Sequence, residues 1–237
     1  MKEKYLVRII ESELKNFKNV KYGDIKYVNY SNAEHRAELM QFDINGIYGQ
    51  NGSGKTAIIE ALDILQHIMS GSTISYNEYE GMFDNNKKME LSTVFYIECG
   101  QKKYKAKYKL LLKKCVEEKK IQIYSESISY WQRGASWKTE RNVVFSNPYY
   151  DTQSILENTP AYVISNNKSK LSKIRFFHSI QNLAVFCAQK NVSLFFNKVI
   201  NKSLESENQN EEEIVFSDIV KALFEFARMK FQVVKVN

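Results

Sequence analysis

The chain has 237 residues, 43% of them hydrophobic and 13% aromatic, enough for a sizeable core in one large domain or two small ones. No stretch nears ~20 apolar residues, and the opening MKEKYLVRIIE holds no signal-length apolar run, so the expectation is a cytoplasmic protein without a membrane span. The net charge of +7 leaves two readings open, phosphate contacts to nucleic acid or a solvated lysine surface, while Cys99, Cys115 and Cys187 form neither a disulfide framework nor a zinc pattern.

Residues from Tyr5 to Glu13 are rich in Val, Ile and Leu and read as a strand. The β-prone runs Val20–Tyr22 and Ile25–Asn29 flank Gly23-Asp24, which reads as a turn. Ser31 to Glu38 is polar and reads as a loop. Met40 to Tyr48 carries Phe42, Ile44, Ile47 and Tyr48, the pattern of a buried strand.

That strand leads into Gly49-Gln50-Asn51-Gly52-Ser53-Gly54-Lys55-Thr56, which fits the pattern G-x-x-x-x-G-K-[ST]. The pattern has a mechanism. Glycines let the backbone turn tightly and bring its N–H groups against phosphate oxygens. Lys55 offers an ammonium to the β and γ phosphates, and Thr56 a hydroxyl to Mg²⁺. The following helix contributes unsatisfied N–H donors and about half a positive charge at its start. Ile58, Leu62, Leu65 and Met69 supply helical spacing across Thr56 to Ser70. ATP and Mg²⁺ are therefore the expected ligands.

Gly71 to Lys88 clusters Gly, Ser and Asn and reads as loop with marginal helix. An antiparallel meander follows: Leu91–Glu98, Tyr104–Leu112, Ile121–Trp131 and Trp137–Phe145, with turns at Gly100-Gln101 and Gly134-Ala135. Val94 to Glu98 has the shape of a Walker B strand, four apolar residues and an acid. A Walker B strand needs an Asp for the Mg²⁺ shell, so Glu98, followed by Cys99-Gly100, reads as part of the meander.

Asn147 to Asn167 is irregular, and Leu171 to Leu204 has the spacing of one long or two shorter helices, with His178 inside it as a structural residue. Glu205 to Glu213 reads as an acidic, solvated loop, Ile214 to Met229 as a helix, and the closing FQVVKVN as a short β-prone run.

The Gln50-Asn51-Gly52-Ser53 filling, Glu60-Ala61-Leu62 and the opening Leu14-Lys15-Asn16-Phe17-Lys18 resemble ABC-type AAA family ATPases. The group is that of the structural-maintenance-of-chromosomes, RecF-type and OLD-type ATPases. The resemblance is specific over residues 5–65 and extends afterwards only to general layout. It implies an α/β fold: the N-terminal portion of a P-loop NTPase, with an antiparallel β meander and a helical segment. It implies one domain over 1–237, incomplete at its C-terminus, with strands, loop and helix over 1–70, meander over 71–150 and a mainly helical part over 151–237.

It further implies ATP hydrolysis by a homodimer that sandwiches nucleotide, with DNA or an effector nuclease as further partners. The segment from Lys15 to Phe17 would approach the base, although Phe17 also reads as a core aromatic. Hydrolysis would need a Walker B Asp-Glu, a Leu-Ser-x-Gly signature loop and a switch histidine. Leu171-Ser172-Lys173-Ile174 lacks the glycine, and His35 and His67 lie upstream of where the switch would stand. No catalytic residue is assigned. Nucleotide binding without turnover, and a nucleic-acid-binding module, stay open beside the ATPase. Guanine-recognition and small-molecule-kinase patterns are missing from the sequence.

Overall fold

Period-two patterning over residues 89–132 builds the sheet. In the computed structural model Tyr104, Ala106, Tyr108, Leu110 and Leu112 are fully buried, and the lysines between them look outward. The structure describes residues 5–27, 47–132, 141–146, 190–193, 195–196 and 211–228. The strands are β1 (Tyr5–Phe17), β2 (Val20–Lys26), β3 (Met89–Cys99), β4 (Lys102–Cys115), β5 (Lys120–Gln132) and β6 (Arg141–Ser146). They form one antiparallel sheet in the order β2-β1-β3-β4-β5-β6. The helices are α1 (Lys55–Met69), a single turn α2 (Tyr76–Tyr79) that runs into a 3₁₀ turn over Glu80–Met82, and α3 (Glu211–Arg228). This is the mixed α/β fold that the sequence implies, with the meander where it was expected.

One face of the sheet makes the core. Leu14, Phe17, Leu91, Phe95, Ile97 and Tyr108 pack there with Ile64 and Ile68 of α1 and Ile219 and Leu223 of α3. Each such side chain contributes roughly 1.5–3 kcal/mol on burial. Phe95 meets Phe226 edge-on at 5.9 Å, and Gln66 of α1 donates to the Ala227 carbonyl at 2.9 Å, so the two helices are tied both to the sheet and to each other. On the opposite face a register shift between Ile9 and Glu11 leaves Ile10 to pack with Tyr96 and Val94.

Several expectations are corrected. Gly23-Asp24 is not a turn; both lie inside β2, opposite Leu14 and Glu13. The reversal falls at Lys18-Asn19, where Lys18 takes a φ of 52° two residues after Asn16 at 55°. Asn tolerates that left-handed region through its short polar side chain. Tyr48 is 93% exposed and lies in no strand, whereas Ile47 packs against the core. Neighbours in an extended segment face opposite ways, so only one of the pair goes inward. Residues 40–46 of that expected strand lie outside the described residues, as do the loop over 31–38, His35, His178 and the turn at Gly134-Ala135.

The acidic loop ends sooner than expected, because α3 already begins at Glu211, and acids are favoured at a helix start. Helical spacing through Phe195 also fails, since residues 191–193 and 195–196 are not helical. Polar groups decide this. The Ile123 N–H donates to Asn191 Oδ1 at 3.0 Å, and Asn191 Nδ2 donates to the Ile121 carbonyl at 2.6 Å. The Asn191 carboxamide thus serves β5 beyond Ser125, the last of its residues that pairs with β6 among the described residues. Ser193 Oγ donates to Glu126 Oε2 at 2.7 Å, and Tyr108 OH donates to the same oxygen at 2.6 Å. Phe195 and Phe196 both pack edge-on against the Tyr108 ring.

Burial, then the Glu126 carboxylate beside it, pushes the Tyr108 phenol well above its ordinary value near 10. The folded chain therefore keeps a proton that the unfolded chain gives up above about pH 10. Stability is fully present below that pH and falls above it, by about 1.4 kcal/mol per pH unit for one such group. Denaturant titrations at pH 9 to 11 should show this loss. Tyr108→Phe should flatten the slope while lowering stability at neutral pH.

A candidate phosphate-binding loop

The loop Gly49–Thr56 takes its shape from three glycines. Gly52 and Gly54 sit at φ 84° and 88°, in the left-handed region. A side chain there costs about 1–2 kcal/mol. A Cβ on Gly49 would stand 2.8 Å from Ser53 Oγ. The Ser53 N–H donates to the Gln50 carbonyl at 3.2 Å and closes the turn. Lys55 Nζ folds back over the loop, donating to the Gly49 carbonyl at 2.6 Å and the Gln50 carbonyl at 2.8 Å.

Gly54 is also the N-cap of α1. No side chain caps this helix start, and its first turn holds no acid. The positive end of the helix dipole therefore meets the Lys55 ammonium with no nearby first-turn carboxylate to offset them. Gln50, Asn51, Gly52, Ser53 and Thr56 are exposed, so the outer surface of the loop is open to a ligand. These residues fit a phosphate: backbone donors, a lysine that can exchange loop carbonyls for phosphate oxygens, and an exposed hydroxyl at Thr56 for a hydrated Mg²⁺.

The reversal between β1 and β2 forms a second wall. Asn19 Nδ2 donates to the Gly52 carbonyl at 2.8 Å, and Lys18 Nζ pairs with Glu60 Oε2 of α1 at 2.6 Å. A Cβ on Gly54 would meet Val20 Cγ2 at 2.7 Å. The family resemblance implies that Lys15 to Phe17 would approach the base; in the structure Lys15 pairs with Glu90 at 2.9 Å, and Phe17 is the core aromatic that it also read as, fully buried edge-on to Phe83. Lys18, Asn19 and Val20 were missed because the turn was assigned to Gly23-Asp24.

Glu98 lies on β3, antiparallel to both β1 and β4, with the hairpin turn at Gly100-Gln101 following it. It is 5% exposed, accepts from Tyr96 OH at 2.6 Å and faces Lys103 Nζ at 3.4 Å. It is a meander residue rather than the end of a Walker B strand. His67, in the last turn of α1, has Nδ1 at 2.9 Å from the Asp63 carbonyl.

Among the described residues no helix is long and apolar enough to cross a membrane. No curated protein matches the chain. Residues 44–158 match the family described as "AAA domain, putative AbiEii toxin, Type IV TA system". This stretch holds the loop, α1 and strands β3 to β6. The match supports kinship with the AAA-type P-loop ATPases, and with it a P-loop ATPase-like nucleotide-binding function.

Proposed function

We propose that this chain binds Mg-ATP through Gly49–Thr56, as the nucleotide-binding part of an ABC-type ATPase of the SMC, RecF and OLD group. One observation carries the reading: a helix start with neither side-chain cap nor first-turn acid, preceded by two left-handed glycines and covered by Lys55. The loop N–H groups and the start of α1 would hold the β and γ phosphates, and Lys55 would balance their charge. Thr56 would face the Mg²⁺, which supplies charge neutralisation between the phosphates. Hydrolysis would require an acid and a signature loop beyond these motifs, brought together in a homodimer around the nucleotide. Glu98 is not that acid, because Tyr96 and Lys103 already hold its carboxylate. The toxin–antitoxin wording of the matched family favours a defence setting over chromosome handling or repair.

A nucleic-acid-binding reading has the outward lysines of β4 behind it. It is the weaker one, because Lys103 and Lys109 already face Glu98 and Glu90 at 3.4 and 3.2 Å.

The test is thermal and chemical denaturation with and without Mg-ATP. Ligand at ~100 times its dissociation constant should stabilise the fold by about 2.7 kcal/mol. Lys55→Ala should fold normally and lose about 1.5–3 kcal/mol of binding, the worth of a charge-assisted contact. A well-folded wild type that shows no shift at millimolar nucleotide would sink the reading.

A further inference from the structure

The turn between β1 and β2 pays a conformational cost that its own strands do not explain. Asn16 and Lys18, neither of them glycine, sit at φ 55° and 52°. Asn16 tolerates this region, but for Lys18 it costs on the order of 1–3 kcal/mol and persists only where the surroundings impose it. Here the surroundings are visible. Asn16 Nδ2 donates to the Lys88 carbonyl at 3.2 Å, and the Lys18 N–H donates to the Met82 carbonyl at 2.8 Å. Phe17, between them, bridges to Phe83. The segment from 82 to 88 thus fixes the turn, and the fixed turn lies against the loop.

Three contacts reach the loop and its helix: Asn19 to the Gly52 carbonyl, Val20 into the space left by Gly54, and Lys18 to Glu60. The Asn19 contact has a chemical consequence. A carbonyl oxygen turned toward a bound phosphate would repel it. Asn19 Nδ2 holds the Gly52 oxygen on the hairpin side. In a trans peptide the Ser53 N–H must then point the other way, into the turn closed on Gln50.

We propose that Asn19 is a positioning residue for the phosphate cradle, acting through the Gly52 carbonyl to keep that oxygen out of the anion site. It needs no contact with the nucleotide. The inference rests on the nucleotide reading above and adds to it a residue outside the loop motif.

The experiment uses the full chain with three substitutions. Asn19→Leu keeps the size and loses the donor, Asn19→Ala loses the donor without adding bulk, and Asn19→Gln keeps a donor. The two donor-free variants should bind Mg-ATP about five- to tenfold more weakly, the effect of one lost hydrogen bond. Their melting temperatures without nucleotide should fall by no more than about 2–4 °C, the same in both, and amide exchange at Gly52 and Ser53 should quicken. Asn19→Gln should recover most of the affinity. Wild-type affinity and wild-type exchange in both donor-free variants would overturn this inference alone, as would equal loss in Asn19→Gln and Asn19→Leu. Failure of the wild-type chain to bind Mg-ATP would overturn the nucleotide reading, and this inference with it.

Discussion

Phe95→Ala should lower the unfolding free energy by about 3–5 kcal/mol, the cost of truncating a fully buried aromatic ring. Phe95 is fully buried on β3, in the middle of the sheet, and meets Phe226 of α3 edge-on. Truncation removes the transfer energy of the ring and leaves a cavity between sheet and helix. Ala106, already small, faces it on β4 and cannot fill that space. On β1 the facing residue is Ile9, at the start of the bulge. For a chain of this size the melting temperature should fall on the order of 10 °C. Val116→Ala, at a 53% exposed position, is the control and should change stability by no more than about 0.5 kcal/mol. A Phe95→Ala loss no larger than the control's would mean that α3 does not pack on this sheet in solution.

Gly54→Ala should lower Mg-ATP affinity about tenfold or more while leaving the sheet folded. Two separate costs meet at this residue. Its φ of 88° strains any side chain, by about 1–2 kcal/mol. The new Cβ would also stand 2.7 Å from Val20 Cγ2. Val20 is β-branched and begins β2, so it has little room to turn aside. Relief comes from moving the loop, which breaks the fit between Gly52 and Asn19 and tilts the start of α1. Adding Val20→Ala should return part of the affinity, since it removes the clash and not the backbone strain. Calorimetric titration of the two single variants and the double variant measures the coupling. Additive losses would show that the hairpin does not touch the loop, and wild-type affinity in Gly54→Ala would remove this glycine from the site.

The two substitutions also separate what was legible in the sequence from what was not. The strand that carries Phe95 could be read from the chain, though not which way the ring faces, since Val94 to Ile97 is apolar throughout. Phe95 stands in a β-prone run, and the next run repeats apolar residues at Tyr104, Ala106, Tyr108 and Leu110. Period-two patterning is local, so strand, face and hairpin can all be read from a few neighbouring residues. The same holds for the loop. Glycine spacing and a lysine at a helix start are local chemistry, and in the fold Gly52 and Gly54 are left-handed while Lys55 folds back onto the Gly49 carbonyl.

Contacts between distant segments could not be read in this way. Gly23-Asp24 is a sound turn signal, yet β2 runs straight through it, because pairing with β1 satisfies the backbone groups that a turn would leave open. Moving the reversal to Lys18-Asn19 is what brings Asn19, Val20 and Lys18 onto the loop, some thirty to forty residues further along the chain. Glu98, which the sequence already assigns to the meander for want of an Asp, does lie there, with β1 and β4 antiparallel on either side of it. Residues 191–193 and 195–196 fall in the stretch read as helical, but the β5 backbone and the buried Glu126 hold them out of a helix. By itself the sequence determined which residues are apolar, where strands alternate and where a glycine-spaced loop with a lysine precedes a helix. Only the tertiary structure decided which distant polar groups satisfy one another, because burial makes an unpaired group costly and its partner comes from whichever segment the fold brings near.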